Sequence, residues 1–158
     1  MEKLAVRNVV ESDNAILRYM AGKCSPLDVH TLYTYWIICK FYSKGSFILL
    51  SDDQPAGYIM SIETGEEVFV WQIGLMSEYR GKGYSNMLID KVINYAKAVN
   101  KNVGVSIALA NKASYGAFSS YCRSNGLSFE NDGSLSIRDM IDSSNDEDEQ
   151  IYKIVLHK

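Results

Sequence analysis

A mixed α/β fold, with one central sheet flanked by helices, is what this 158-residue sequence predicts. Three observations point there. Helical and strand periodicities alternate along the chain instead of segregating into halves. The run "VFVWQIGLM", Val68 to Met76, is almost unbroken in apolar character, as a central strand buried on both faces would be. Directly after it, the glycine-bearing stretch "SEYRGKGYSN" (Ser77 to Asn86) leads into apolar residues at helical spacing: Met87, Leu88, Val92, Ile93, Tyr95, Ala96 and Val99.

The elements follow in order. "LAVRNVV" (Leu4 to Val10) is β-rich and opens the chain as a strand. Glu11, Ser12 and Asp13 supply helix-start chemistry, Ile16, Leu17, Tyr19 and Met20 an apolar side, and Gly22 a stop. Ser25 followed by Pro26 has the form of an N-cap with proline at the first helical position, which predicts a second helix from Leu27 to Tyr42. Two strands are expected at Ser46 to Leu50 and Gly57 to Ile62, joined by the "DDQP" turn. "ETGEE" turns the chain into the Val68 to Met76 strand. After the glycine stretch and its helix come a strand from Val103 to Ala110 and a helix from about Ala113 to Ser124. "SNGLSF" returns to extended chain, "DSSNDEDEQ" (Asp142 to Gln150) reads as a solvated acidic loop, and "IYKIVLH" (Ile151 to His157) as a last strand.

Composition narrows the function classes. The length fits one domain over residues 1–158, and a net charge of -3 gives no reason to expect a nucleic-acid surface. Cys24, Cys39 and Cys122 are odd in number and form no CxxC pair, which disfavours a disulfide framework or a metal site and suits a reducing compartment. Neither a secretory leader nor a bilayer-length apolar run is evident, so the expectation is a cytoplasmic protein with no membrane partner.

The chemistry sits in the glycine stretch. A strand that runs through Gly81 and Gly83 into a helix presents backbone N–H groups without intrahelical partners. The helix dipole adds partial positive charge, and Arg80 and Lys82 add more at the rim, so a phosphate or pyrophosphate is a natural guest. The stretch is neither a P-loop nor GxGxxG. Read locally, it serves equally well as an ordinary helix start.

"LMSEYRGKGYS" resembles the acyl-CoA pyrophosphate loop of the GCN5-related N-acetyltransferases (GNAT), Arg/Gln-x-x-Gly-x-Gly/Ala, with Arg80, Gly83 and Ser85 at the defined places. Ser85 departs from Gly/Ala but is still small. The resemblance implies the GNAT fold, with a splayed strand pair at "WQIGLM" and "VSIALA", and acetyl-CoA as co-substrate. It implies cofactor contacts from Ile73, Leu75, Arg80, Gly81, Lys82, Gly83, Tyr84 and Ser85, and from Asn111, for which a plain helix N-cap is an equal local reading.

"PLDVHTLYTYWIICKFY" resembles a segment of the L-2,4-diaminobutyrate acetyltransferases, matching at Leu27, Asp28, Thr31, Tyr33, Tyr35 and Cys39, with His30 replacing an asparagine. "VFVWQIGL", "NKASYGAFSSYCRSNGL" and "EDEQIYKI" resemble further segments of the same enzymes. The resemblance implies a small-molecule amine acceptor, a homodimer, substrate contacts from Asp28, Tyr33, Trp71 and Glu149, and direct attack of the γ-amine on the thioester. Glu149 would then serve the reacting amine. The place where many relatives carry a thiolate-protonating tyrosine falls on Phe118, so Tyr121, one turn on, is the substitute or else a packing residue. Competing readings are a different amine (a polyamine, an aminoglycoside or a protein N-terminus) and a non-catalytic acyl-CoA-binding module.

Overall fold

The computed structural model describes residues 1–24, 26–135 and 148–156. Among these, strands β1 (Leu4–Asn8), β2 (Phe47–Ser51), β3 (Gln54–Glu63), β4 (Glu67–Leu75), β5 (Asn102–Ala108), β6 (Ser128–Leu135) and β7 (Glu149–Val155) form one sheet in the order β1-β2-β3-β4-β5-β7-β6. Helices α1 (Asn14–Lys23), α2 (Leu32–Phe41), α3 (Tyr84–Ala98) and α4 (Lys112–Ser124) cover it. The predicted mixed α/β sheet is therefore present, with β4–β5 as its parallel pair.

Strand alternation divides the core in two. On one face Leu88, Ile89, Val92 and Ile93 of α3 and Phe118 of α4 pack on Leu49, Val68, Val70, Val103 and Val105. On the other, Leu17 and Met20 of α1 and Tyr35 and Ile38 of α2 pack on Ile48, Tyr58 and Met60. The three cysteines are free and buried. The β2–β3 hairpin turns at Asp52 and Asp53, both at positive φ, a conformation that aspartate tolerates better than bulkier residues.

Several boundaries differ from expectation. The second helix starts at Leu32, capped by Thr31, whose hydroxyl accepts the Thr34 N–H at 3.3 Å. Residues 26–31 are not helical, and side chains from other elements hold the main chain of Asp28 and His30 within them. Gln72 Nε2 donates to the Asp28 carbonyl at 2.6 Å, Arg18 Nε to the His30 carbonyl at 3.0 Å, and the His30 N–H reaches Tyr35 Oη at 3.4 Å. The opening strand ends at Asn8 and β5 at Ala108. Glu149 and Gln150, expected in a loop, are the first residues of β7, paired with Ala108 and Ile107. Ser25, residues 142–147 of the acidic stretch and His157 lie outside the described residues.

β4 departs most instructively. Met60 pairs with Gln72 and Ser61 with Val70, so Trp71 has no opposite number and forms a β-bulge. Met60 and Ser61, being adjacent, face opposite sides of the sheet. Their partners Gln72 and Val70 do the same, although two residues apart. Pairing of β4 with β5 runs from Glu67–Asn102 to Val70–Val105 and stops there, while β5 continues along β7 to Ala108. The two strands splay from the bulge onward, and one face of β4 is open: Trp71 is 37% exposed.

A buried carboxylate secures the start of the chain. Asp13 accepts both guanidinium nitrogens of Arg7, at 2.8 and 3.1 Å, and the Val10 N–H at 2.7 Å. Burial alone pushes the carboxyl up, but these bonds together hold it below the ordinary aspartate value. A depressed folded pKa means that the stabilisation is present above the unfolded pKa and is lost as pH falls through the folded one. Asp13→Asn is expected to lower stability at neutral pH by about 1–3 kcal/mol. Urea titrations should show the gap from wild type narrowing below about pH 4.

Candidate active site

The splay leaves a cleft between the second half of β4 and the end of β5, and the glycine stretch closes one end of it. Gly81 and Gly83 both lie at positive φ, 75° and 78°, where an L side chain is strained. Gly83 is the left-handed N-cap of α3, and Ser85 in the first turn of that helix lines the cleft, where the first helical N–H groups lack intrahelical partners. Arg80 folds back, Nε donating to the Leu75 carbonyl at 3.0 Å, which the Cys24 thiol also approaches at 3.3 Å.

Two adjoining cavities occupy the cleft. The first, about 230 Å³, is lined by Ile73, Leu75, Arg80, Gly81, Ser85 and Asn111 among others. Of the sequence-predicted cofactor residues, three lie off this wall. Gly83 shapes the turn, the Lys82 ammonium sits 5.9 Å from the Tyr84 ring centroid, and the Tyr84 hydroxyl donates to Glu2. Asn111 does two things. Its Oδ1 caps α4 by accepting the Ser114 N–H at 3.1 Å, and its side-chain amide nitrogen is the donor it can offer the cavity.

The second cavity, about 310 Å³, shares Pro26, Leu27, Ile73, Asn111 and Ser114 with the first. It brings together Asp28, Trp71 and Glu149 from the connector, the bulge and the start of β7. Ser106 Oγ lies 3.4 Å from Glu149 Oε2. Phe118 closes the floor and is buried.

Two predicted residues stand elsewhere. Tyr33 is 67% exposed and stacks on Trp36. Tyr35 faces the core, and a residue two positions away is turned about 200° around the helix, so Tyr33 points outward. Tyr121 is buried between α3 and α4, its hydroxyl donating to Asp90 at 2.7 Å. Burial, with Asp90 as acceptor, pushes that phenol far above its ordinary value. It lines neither cavity.

Gln72 was not anticipated, although it is the one polar side chain in an apolar run. It is buried, its Oε1 accepting from Tyr58 at 2.8 Å and Tyr35 at 3.1 Å while its Nε2 holds Asp28. It thus joins β3, β4, α2 and the connector behind the second cavity.

A splayed parallel pair with a glycine-turned helix start defines a class. Residues 15–122 match the Acetyltransferase (GNAT) family, and the chain belongs to it. Within that family it is similar to L-2,4-diaminobutyric acid acetyltransferases. That of Halalkalibacterium halodurans is 29% identical over 115 residues, covering 70% of this chain and 60% of that protein. That of Shouchella clausii is 27% identical over 110 residues, covering 67% and 62%. The chain thus spans about three-fifths of the length of these curated relatives. The fold is also that of diaminobutyrate acetyltransferase EctA from Paenibacillus lautus, solved with L-2,4-diaminobutyric acid and coenzyme A. Its TM-score is 0.89 at 18% identity, covering 98% of this chain and 95% of that one. Ard1 from Thermoplasma volcanium has the fold at TM-score 0.79 and 14% identity, covering 98% and 99%.

Gln72→Leu leaves two buried tyrosine hydroxyls without their acceptor. It is expected to destabilise the protein by about 1–3 kcal/mol, read as a lower denaturant midpoint at unchanged slope.

Proposed function

We propose that this chain is an acetyl-CoA-dependent N-acetyltransferase that acetylates the γ-amine of L-2,4-diaminobutyrate or a close diamino acid. The observation that carries this reading is the pair of adjoining cavities. One has a helix start and glycine turn suited to pyrophosphate, and the other has two carboxylates beside an indole ring. Names and sequences of the relatives support the same acceptor.

The residues fit the cofactor. N–H groups at the start of α3 would hold the pyrophosphate, the open edge of β4 at Ile73 would pair with the pantetheine amides, and Asn111 would donate to the arm where the cavities meet. In the second cavity Asp28 anchors one ammonium and Trp71 flanks the aliphatic chain. A lysine-like amine with a pKa near ~10.4 is neutral in only about one molecule in a few thousand at pH 7. Glu149, directly or through water, takes the proton that frees the lone pair. The amine attacks the thioester carbonyl, the C–S bond breaks, and the second nitrogen proton passes by water to the departing thiolate. One proton is released per turnover. Phe118 cannot supply that proton, and Tyr121 belongs to the α3–α4 packing.

Thiol release from acetyl-CoA should be measured with diaminobutyrate, ornithine, lysine, spermidine and a short peptide, and the acetylated nitrogen located by NMR. The expected result is preference for diaminobutyrate and acetylation at the γ-nitrogen. Turnover only with another amine overturns the acceptor, and tight cofactor binding without turnover overturns the enzyme reading. Glu149→Gln is expected to lower kcat by about 10²–10⁴-fold. Gly83→Val, with a β-branched residue at φ 78°, should raise the KM for acetyl-CoA while sparing that of the acceptor.

A further inference from the structure

The second cavity carries an imbalance of charge, and its resolution rests on the diamino-acid reading above. Asp28 and Glu149 bring two carboxylates to its wall, and among the described residues no lysine or arginine lines it. Two carboxylates suit two ammonium groups but repel the carboxylate that a diamino acid also carries. Some donor must meet that third group.

Two polar side chains of the wall are engaged elsewhere. Gln72 Nε2 holds the Asp28 carbonyl, and Ser106 faces Glu149. Asn111 and Ser114 stand on the wall common to both cavities, beside the reacting end. His30 differs. It lines the second cavity and not the first, with its ring centroid 5.2 Å from that of Trp71. It is the one lining side chain, among the described residues, that can carry positive charge. In either neutral tautomer an imidazole still offers one N–H to a carboxylate oxygen, and two when protonated. Its position is set through main-chain atoms, the carbonyl by Arg18 and the N–H by Tyr35, so a change of side chain leaves both clamps in place.

We propose that His30 is the specificity-determining residue that recognises the carboxylate of the diamino-acid acceptor. It pairs with that group next to Trp71, while Asp28 and Glu149 take the two nitrogens.

The test compares diaminobutyrate with 1,3-diaminopropane, which keeps the two amines and lacks the carboxylate, on wild type, His30→Ala and His30→Gln. Wild type is expected to prefer diaminobutyrate. His30→Ala should raise the KM for diaminobutyrate about ten- to a hundredfold, the range for one hydrogen bond to a charged group, and leave that for diaminopropane unchanged. His30→Gln keeps an N–H donor and should recover part of the loss. Equal effects of His30→Ala on both substrates, or none on either, overturn the role of His30 while wild-type turnover of diaminobutyrate stands. Failure of wild type to acetylate diaminobutyrate overturns the acceptor reading itself, and the role of His30 with it.

Discussion

Parallel pairing between β4 and β5 ends at Val70 and Val105, one residue before the bulge at Trp71, and the site is built on that coincidence. An unpaired strand edge in a folded sheet leaves main-chain donors and acceptors unanswered, which is unfavourable unless something else meets them. Here β3 and β7 hold the outer sides of the two strands along their splayed halves, so the gap stays open without unravelling either. The bulge reverses which side of the sheet each later residue of β4 faces. Gln72 is thereby sent into the α1–α2 core, and Ile73 and Leu75 toward α3 and the cleft.

Charge follows from the same geometry. α3 and α4 both begin at the cleft, so the partial positive ends of two helices converge on one cavity. Asp28 and Glu149 line the other cavity, so the two compartments differ in charge although they share a wall. The difference arises from where strands end and helices start.

Much of this was legible in the chain. Periodicity located α1, α3, α4 and most strands, and the glycines at 81 and 83 marked the turn into α3, because those signals are local. What was misread depended on distant partners. Ser-Pro before an apolar run argues for a helix at Leu27, yet Gln72, Arg18 and Tyr35 claim the main chain of residues 28–30. The bulge contains no glycine to announce it, so "VFVWQIGLM" looked like a strand buried on both faces. Tyr33 and Tyr35 are indistinguishable until the phase of α2 is known, and the start of β7 at Glu149 was hidden in an acidic run. Tyr121, read as a proton donor or a packing residue, is buried and donates to Asp90.

The connector between α1 and α2 has a consequence for how such a chain can diversify. Its anchors, from Gln72, Tyr35 and Arg18, grip peptide groups and not the side chains of Asp28 or His30. A mutation at either position therefore alters the lining presented to a guest while the scaffold that presents it is retained. Since most substitutions away from core and capping contacts change stability little, this stretch is an interchangeable cassette. New linings can be sampled there without first disturbing the splayed strands that frame the cleft.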